Sequence, residues 1–199
     1  REEILTRAYG VPVKSMTTLF PYFNTNVHVT NEMPKIREDT HTVYQIVDPA
    51  GARNYVAIWA AVDKNGFITI LREWPDRDSY GEWALSGDPK WRFGPAAKKL
   101  GYDVQAYIDE FLDIESDLGV EVYERIGDSR FFARENENNT DLFESFAVRG
   151  MYFIPSSGSD IETGLSGLDE WMRYNPDAEI DDANRPILKI HSSCGNLIQ

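Results

Sequence analysis

The feature that most constrains this chain is a block of three apolar runs between residues 42 and 74. Thr42–Asp48 (TVYQIVD) is rich in strand formers and stops at Pro49-Ala50-Gly51. Tyr55–Val62 (YVAIWAAV) is nearly all apolar, which suits a strand buried on both faces. Asp63-Lys64-Asn65-Gly66 follows, a hairpin signal because Asn and Gly accept the positive φ of a tight turn. Phe67–Trp74 (FITILREW) is the third run. Together they predict an antiparallel three-strand meander.

After the meander, the pattern changes to alternating helix and strand. The spacing of Val104, Tyr107, Ile108, Phe111, Leu112 and Leu118 predicts a helix over 103–118, capped by Asp103 and stopped by Gly119. Val120–Ile126 reads as a fourth strand, ending at Gly127-Asp128-Ser129-Arg130. A second helix starts at Thr140, turns Leu142, Phe143, Phe146 and Ala147 inward, and stops at Gly150. Met151–Ile154 reads as a fifth strand. Ser159-x-x-Glu162 is a capping box for a third helix, whose core face is Ile161, Leu165, Leu168 and either Trp171 or Met172. Ile187–His191 is a last short strand. Ahead of the meander, residues 1–9 read as a helix end with Ile4, Leu5 and Ala8 on one side, and residues 11–41 as an extended, Pro- and Asn-rich arm. The order β-β-β-α-β-α-β-α-β is an α/β pattern with a mixed central sheet, of the ribonuclease H-like kind.

Composition removes several function classes. The chain has 199 residues and is 42% apolar, enough for one domain with its own core. No apolar run reaches the roughly 20 residues of a membrane span, so no membrane partner is expected. A single cysteine, Cys194, excludes an internal disulfide framework and a thiolate zinc site, and fits a reducing compartment. Glycine-rich phosphate loops and a G-x-S-x-G elbow are absent from the sequence. His28, His41 and His191 lack metal-ligand spacing and read as surface or satisfied core histidines. The formal net charge is −13, which taken whole argues against holding a nucleic-acid backbone. The acidity is local, however. Residues 103–128 net −8 and residues 160–182 net −7, leaving the rest at +2.

Carboxylates carry the candidate chemistry. Asp48 ends the first strand and Asp128 follows the fourth, so parallel pairing of those strands brings both acids to one sheet edge. Glu73, near the end of the third strand, is expected at the same edge. Acids converging there repel one another unless a cation lies between them. Hard oxygen donors suit Mg²⁺ or Mn²⁺, and a two-ion site assists phosphodiester cleavage. Each acid also has a structural reading: Asp48 and Asp128 as turn formers, Glu73 as a surface partner of Arg72 or Arg77, and Asp160 as a helix cap. Arg53, Lys98, Lys99, Arg130 and Arg134 lie on loops beside the proposed edge and are candidate DNA contacts.

The strings RAYGVPVK and LFPYFNTNVHV, then YQIVDPAGARNYVAIWAAVD through ITILREWPD, resemble the C-terminal nuclease domain of bacteriophage terminase large subunits. ERIGDSRFFA, IPSSGSDIETGLSGLDEWMRYN and RPILKIHSSCGNLI continue the resemblance over almost the whole chain. It implies a ribonuclease H-like endonuclease that cuts concatemeric viral DNA with a two-metal Mg²⁺ or Mn²⁺ site. Asp48 and Asp128 match the family's first-strand and fourth-strand acids. The assigned catalytic set is Asp48, Asp128 and Glu73, and the metal set Asp48, Asp128 and Asp160. A further family acid is expected beyond Gln199, so residues 42–199 read as a C-terminally truncated nuclease domain. Residues 1–41 then form an arm from a preceding packaging ATPase domain. The partners implied are double-stranded DNA, that ATPase domain, the small terminase subunit and the portal, in the host bacterial cytoplasm. The alternative is a non-catalytic ribonuclease H-like module that docks the portal or a partner subunit, with Trp74, Trp83 and Trp91 on its docking loop.

Overall fold

The computed structural model describes residues 20–49, 55–81, 102–129, 142–157 and 161–198. Its elements, in chain order, are α1 (Thr25–His28), β1 (Val29–Thr30), β2 (His41–Asp48), β3 (Val56–Asp63), β4 (Ile68–Trp74) and α2 (Arg77–Tyr80). They continue with α3 (Val104–Leu118), β5 (Val122–Gly127), α4 (Leu142–Ala147), β6 (Ile154–Pro155), α5 (Ile161–Trp171) and β7 (Leu188–His191). The expected helix over 1–9 and the caps at Thr140 and Ser159 lie outside the described residues.

One mixed sheet of seven strands runs β1-β7-β4-β3-β2-β5-β6. The meander is present. β2 and β3 pair antiparallel from His41–Asp63 to Asp48–Val56, and β3 and β4 pair antiparallel as well. The turn between β3 and β4 is closed by Asp63, whose Oδ1 accepts the N–H groups of Asn65 (2.8 Å) and Phe67 (3.0 Å), while Gly66 takes φ 86°. Two glycine stops also hold. Gly119 (φ 63°) and Gly150 (φ 87°) sit left-handed after α3 and α4, and the next N–H in each case bonds back to Glu115 or Phe146. That second bond explains a difference from the sequence reading. Met151 belongs to the helix stop, so the strand expected over 151–154 begins only at Ile154.

Strand alternation sends β2 side chains to two different cores. Val43 and Val47, with Ala57, Trp59, Leu71 and Trp74, pack under α3 through Tyr107, Ile108, Phe111 and Ile114. Ile46, Ile58 and Ile70 face the other way, against Leu168 and Met172 and the segment around Phe20 and Phe23. Met172, not Trp171, closes the α5 stripe; Trp171 is 41% exposed. Within the first core, α3 is docked by a polar network. Glu115 accepts Trp59 Nε1 (3.0 Å) and Arg125 Nη2 (2.7 Å), and Arg125 Nη1 also reaches Gln45 Oε1 (2.6 Å).

The stretch read as an extended arm contributes to the sheet. β1 pairs in parallel with β7, Val29 opposite Ile190. His28 is buried, with Nε2 on the Met172 carbonyl (2.8 Å) and Nδ1 bonded to Asn24. A two-residue strand leaves no periodic trace, which is why the sequence alone shows an arm.

Candidate metal centre at the sheet edge

β2 and β5 run parallel as neighbours, with Ile46 opposite Ile126 and Val47 opposite Gly127. Asp48 and Asp128 are each the next residue. With adjacent strands about 4.8 Å apart, the two backbones leave the sheet side by side. Ile46 and Ile126 are paired on one face, and alternation returns Asp48 to that same face. Both acids are half-buried. The turn carrying Asp128 is fixed from both sides: Ser129 N–H donates to Ser156 Oγ (3.1 Å), and Ser156 N–H donates to the Gly127 carbonyl (2.8 Å). Two carboxylates so placed form a negative, oxygen-rich edge with the donor chemistry of a hard divalent cation. Among the described residues, no three side chains of His, Cys, Asp or Glu stand together so as to hold a metal ion.

Glu73 lies on the same face but is not beside them. It pairs with Ile58, which pairs with Ile46, so Glu73, Ile58 and Ile46 form one cross-strand row. Two strand spacings and two residues of rise separate Glu73 from Asp48, about 12 Å between backbones. The Glu73 side chain is fully buried, and both of its oxygens are engaged. Oε1 accepts the N–H of Asn196 (2.8 Å) and Oε2 that of Leu197 (2.9 Å). Burial pushes its carboxyl above the ordinary glutamate range, while the Asn196, Leu197 and Arg77 amides pull it down less strongly. Glu73 thus stands apart from the edge that carries Asp48 and Asp128, and a surface partnership with Arg72 or Arg77 does not describe its fully buried side chain.

Cys194 is buried beside Glu73, and burial with that nearby carboxylate pushes its thiol up to about 12. The contact between Glu73 and the C-terminal turn was not legible in the sequence, because the partners are 123 and 124 residues apart and are backbone amides. β6 runs parallel to β5, and Ser156 just past its end lies against the Asp128 turn. Asp160 itself lies outside the described residues, as do Arg53, Lys98, Lys99, Arg130 and Arg134. Of the tryptophans read as a docking loop, Trp74 is core, 1% exposed, and Trp83 and Trp91 lie outside the described residues.

A mixed sheet with an antiparallel meander, a parallel fourth strand and helices on both faces is a ribonuclease H-like fold. Solved structures with this fold bear that out. The chain is similar to the nuclease domain of the P22 large terminase, with TM-score 0.54 and 15% identity over 89% of this chain and 73% of that one. It is also similar to the large terminase of a thermophilic bacteriophage, with TM-score 0.53 and 13% identity over 89% of this chain and 34% of that one. The same thermophilic-phage protein in complex with ADP gives TM-score 0.54 and 14% identity. The chain therefore spans about a third of the length of that terminase. At these identities the likeness is one of fold. No family model and no curated protein matches the sequence. Among the described residues, no helix is long and apolar enough to cross a membrane.

Proposed function

We propose that this chain is the divalent-metal-dependent endonuclease domain of a phage large terminase, cutting concatemeric viral DNA during genome packaging. The observation that carries the reading is the register of Val47 with Gly127, which sets Asp48 and Asp128 on adjacent parallel strands at one edge of a ribonuclease H-like sheet. The pair fits Mg²⁺ or Mn²⁺, because Mg²⁺ is usually held by one or two carboxylates, with water and substrate phosphate completing its shell. When bound, such an ion supplies positive charge at the scissile phosphate and at the departing oxygen. The protein's part is positional. β2 is clamped between β3 and β5 and delivers Asp48 rigidly, while the Ser129 and Ser156 bonds hold the Asp128 turn against β6. Base-level specificity is low in this reading, since the sequence carries no recognition-helix signal.

The double-stranded DNA substrate, the packaging ATPase domain, the small subunit and the portal belong to the same proposal, as does the setting in the host bacterial cytoplasm. They rest on the likeness to the terminases of P22 and of the thermophilic phage. The net charge of −13 does not oppose it, because the two acidic segments account for more than the whole excess and a divalent ion reverses the local sign where phosphate sits. Incubation with supercoiled plasmid and Mn²⁺ tests the reading. Nicking by the wild type, lost in both Asp48→Ala and Asp128→Ala, is the expected result. Cleavage that survives both substitutions would sink the assignment.

A further inference from the structure

The C-terminal turn is pinned at two points to the end of β4. Glu73 accepts the Asn196 and Leu197 amides. The Asn196 side chain in turn donates Nδ2 to the carbonyls of Pro75 (3.3 Å) and Gly81 (3.2 Å). Gly195 lies so close to Arg77 that an added Cβ would stand 2.9 Å from its Cδ, so the fit admits no side chain without moving Arg77. Next, Leu197 and Ile198 enter the apolar cluster that holds Ile46 and Ile58. With Ile58, they line a cavity of about 460 Å³ on that face. Ile46 precedes Asp48 by two residues on the same strand and face. The packing therefore leads from Glu73, through the turn, to the strand end that presents Asp48.

Building on the reading of Asp48 and Asp128 as the metal-holding pair, we propose that Glu73 is a positioning residue rather than a metal ligand. It pins the 194–198 turn over Ile58 and Ile46, and so fixes the strand that delivers Asp48. An anchor needs two acceptor oxygens, whereas a ligand needs negative charge, and the two roles can therefore be told apart. Glu73→Gln keeps one acceptor and turns an N–H₂ toward the other amide. Asn196→Ala leaves every carboxylate in place and removes only the side-chain bonds.

The test pairs two readouts in the full chain. Cys194, the only cysteine, reports release of the turn through its rate of modification by a thiol reagent. Mn²⁺ binding, followed by the paramagnetic resonance of the free ion, reports the acid pair. Glu73→Gln and Asn196→Ala are each expected to speed Cys194 modification and to weaken Mn²⁺ binding about tenfold, the lower end of the effect of groups that orient ligands. Asp48→Asn is expected to abolish Mn²⁺ binding and leave Cys194 shielded. The proposal is overturned if either anchor variant frees Cys194 without weakening Mn²⁺ binding. It is also overturned if Glu73→Gln abolishes Mn²⁺ binding while Cys194 stays shielded, which would make Glu73 a ligand. Should Glu73→Gln fail to fold, Asn196→Ala decides alone. Full Mn²⁺ binding by Asp48→Asn would instead overturn the site reading itself, a result distinct from failure of the coupling, in which Asp48 is still needed.

Discussion

Val47 and Gly127 stand opposite each other in the parallel ladder between β2 and β5, and this one pairing makes neighbours of two acids 80 residues apart in sequence. A slip of one residue in a strand would carry its acid to the opposite face. The register is held from both sides: Val43 and Val47 face the α3 core, while Ile46 packs on the other face.

That arrangement separates ligand chemistry from stability. Asp48→Asn and Asp128→Asn keep shape and remove charge at half-buried positions. Both are expected to lose Mn²⁺-dependent nicking by about a hundredfold or more, beyond what an orienting group loses. Their unfolding free energies should change by about 1 kcal/mol, the ordinary size for a single substitution, far less than the loss of nicking. Plasmid nicking and urea denaturation, run on the same preparations, check the pair of outcomes.

The network that docks α3 behaves differently. Glu115 and Arg125 are 6% and 14% exposed, as a residue and as a side chain respectively, and Arg125 is bonded to both Glu115 and Gln45. Glu115→Ala leaves a guanidinium nearly buried without its counter-charge, and also strips the acceptor from Trp59 Nε1. Loss of one partner of such a pair costs about 3–5 kcal/mol. The urea midpoint should fall accordingly.

Gly119 gives a backbone test. Its φ of 63° and its open surroundings mean that an alanine there meets no neighbour and suffers only the left-handed conformation. Gly119→Ala is expected to cost about 1 kcal/mol through that strain. Thermal unfolding of the variant would read this directly, and an unchanged midpoint would contradict the Schellman stop at the end of α3.

A pH dependence follows from Glu73. Its folded carboxyl titrates above the ordinary glutamate value, because burial outweighs the amides that bond it. Between the ordinary value and the raised one, the folded chain holds a proton that the unfolded chain has lost. The stabilisation is therefore complete below the ordinary value and is lost as pH rises through the raised one. Measured against Glu73→Gln, wild-type stability should fall with rising pH across that window and level off above it. A difference that rose with pH would mean that the amides outweigh burial and that the group is held ionised.

The features legible in the sequence were mostly local. The meander, the Asn65-Gly66 turn, the helix over 104–118 and the stops at Gly119 and Gly150 were each written in a window of a few residues. Hydrophobic period and turn chemistry act at that range. The placement of Asp48 and Asp128 was legible too, since an acid at the end of an apolar strand is a local signal and parallel pairing follows from the strand–helix–strand order. What only the tertiary structure decided was everything that depends on a distant partner. It paired β1 with β7, chose Met172 over Trp171 for the α5 core face, and turned Glu73 toward the amides of Asn196 and Leu197. Those outcomes depend on which surfaces meet after the chain has closed loops of more than a hundred residues. A buried carboxylate that bonds to backbone N–H groups has partners with no side-chain identity, so residue types alone leave its role open.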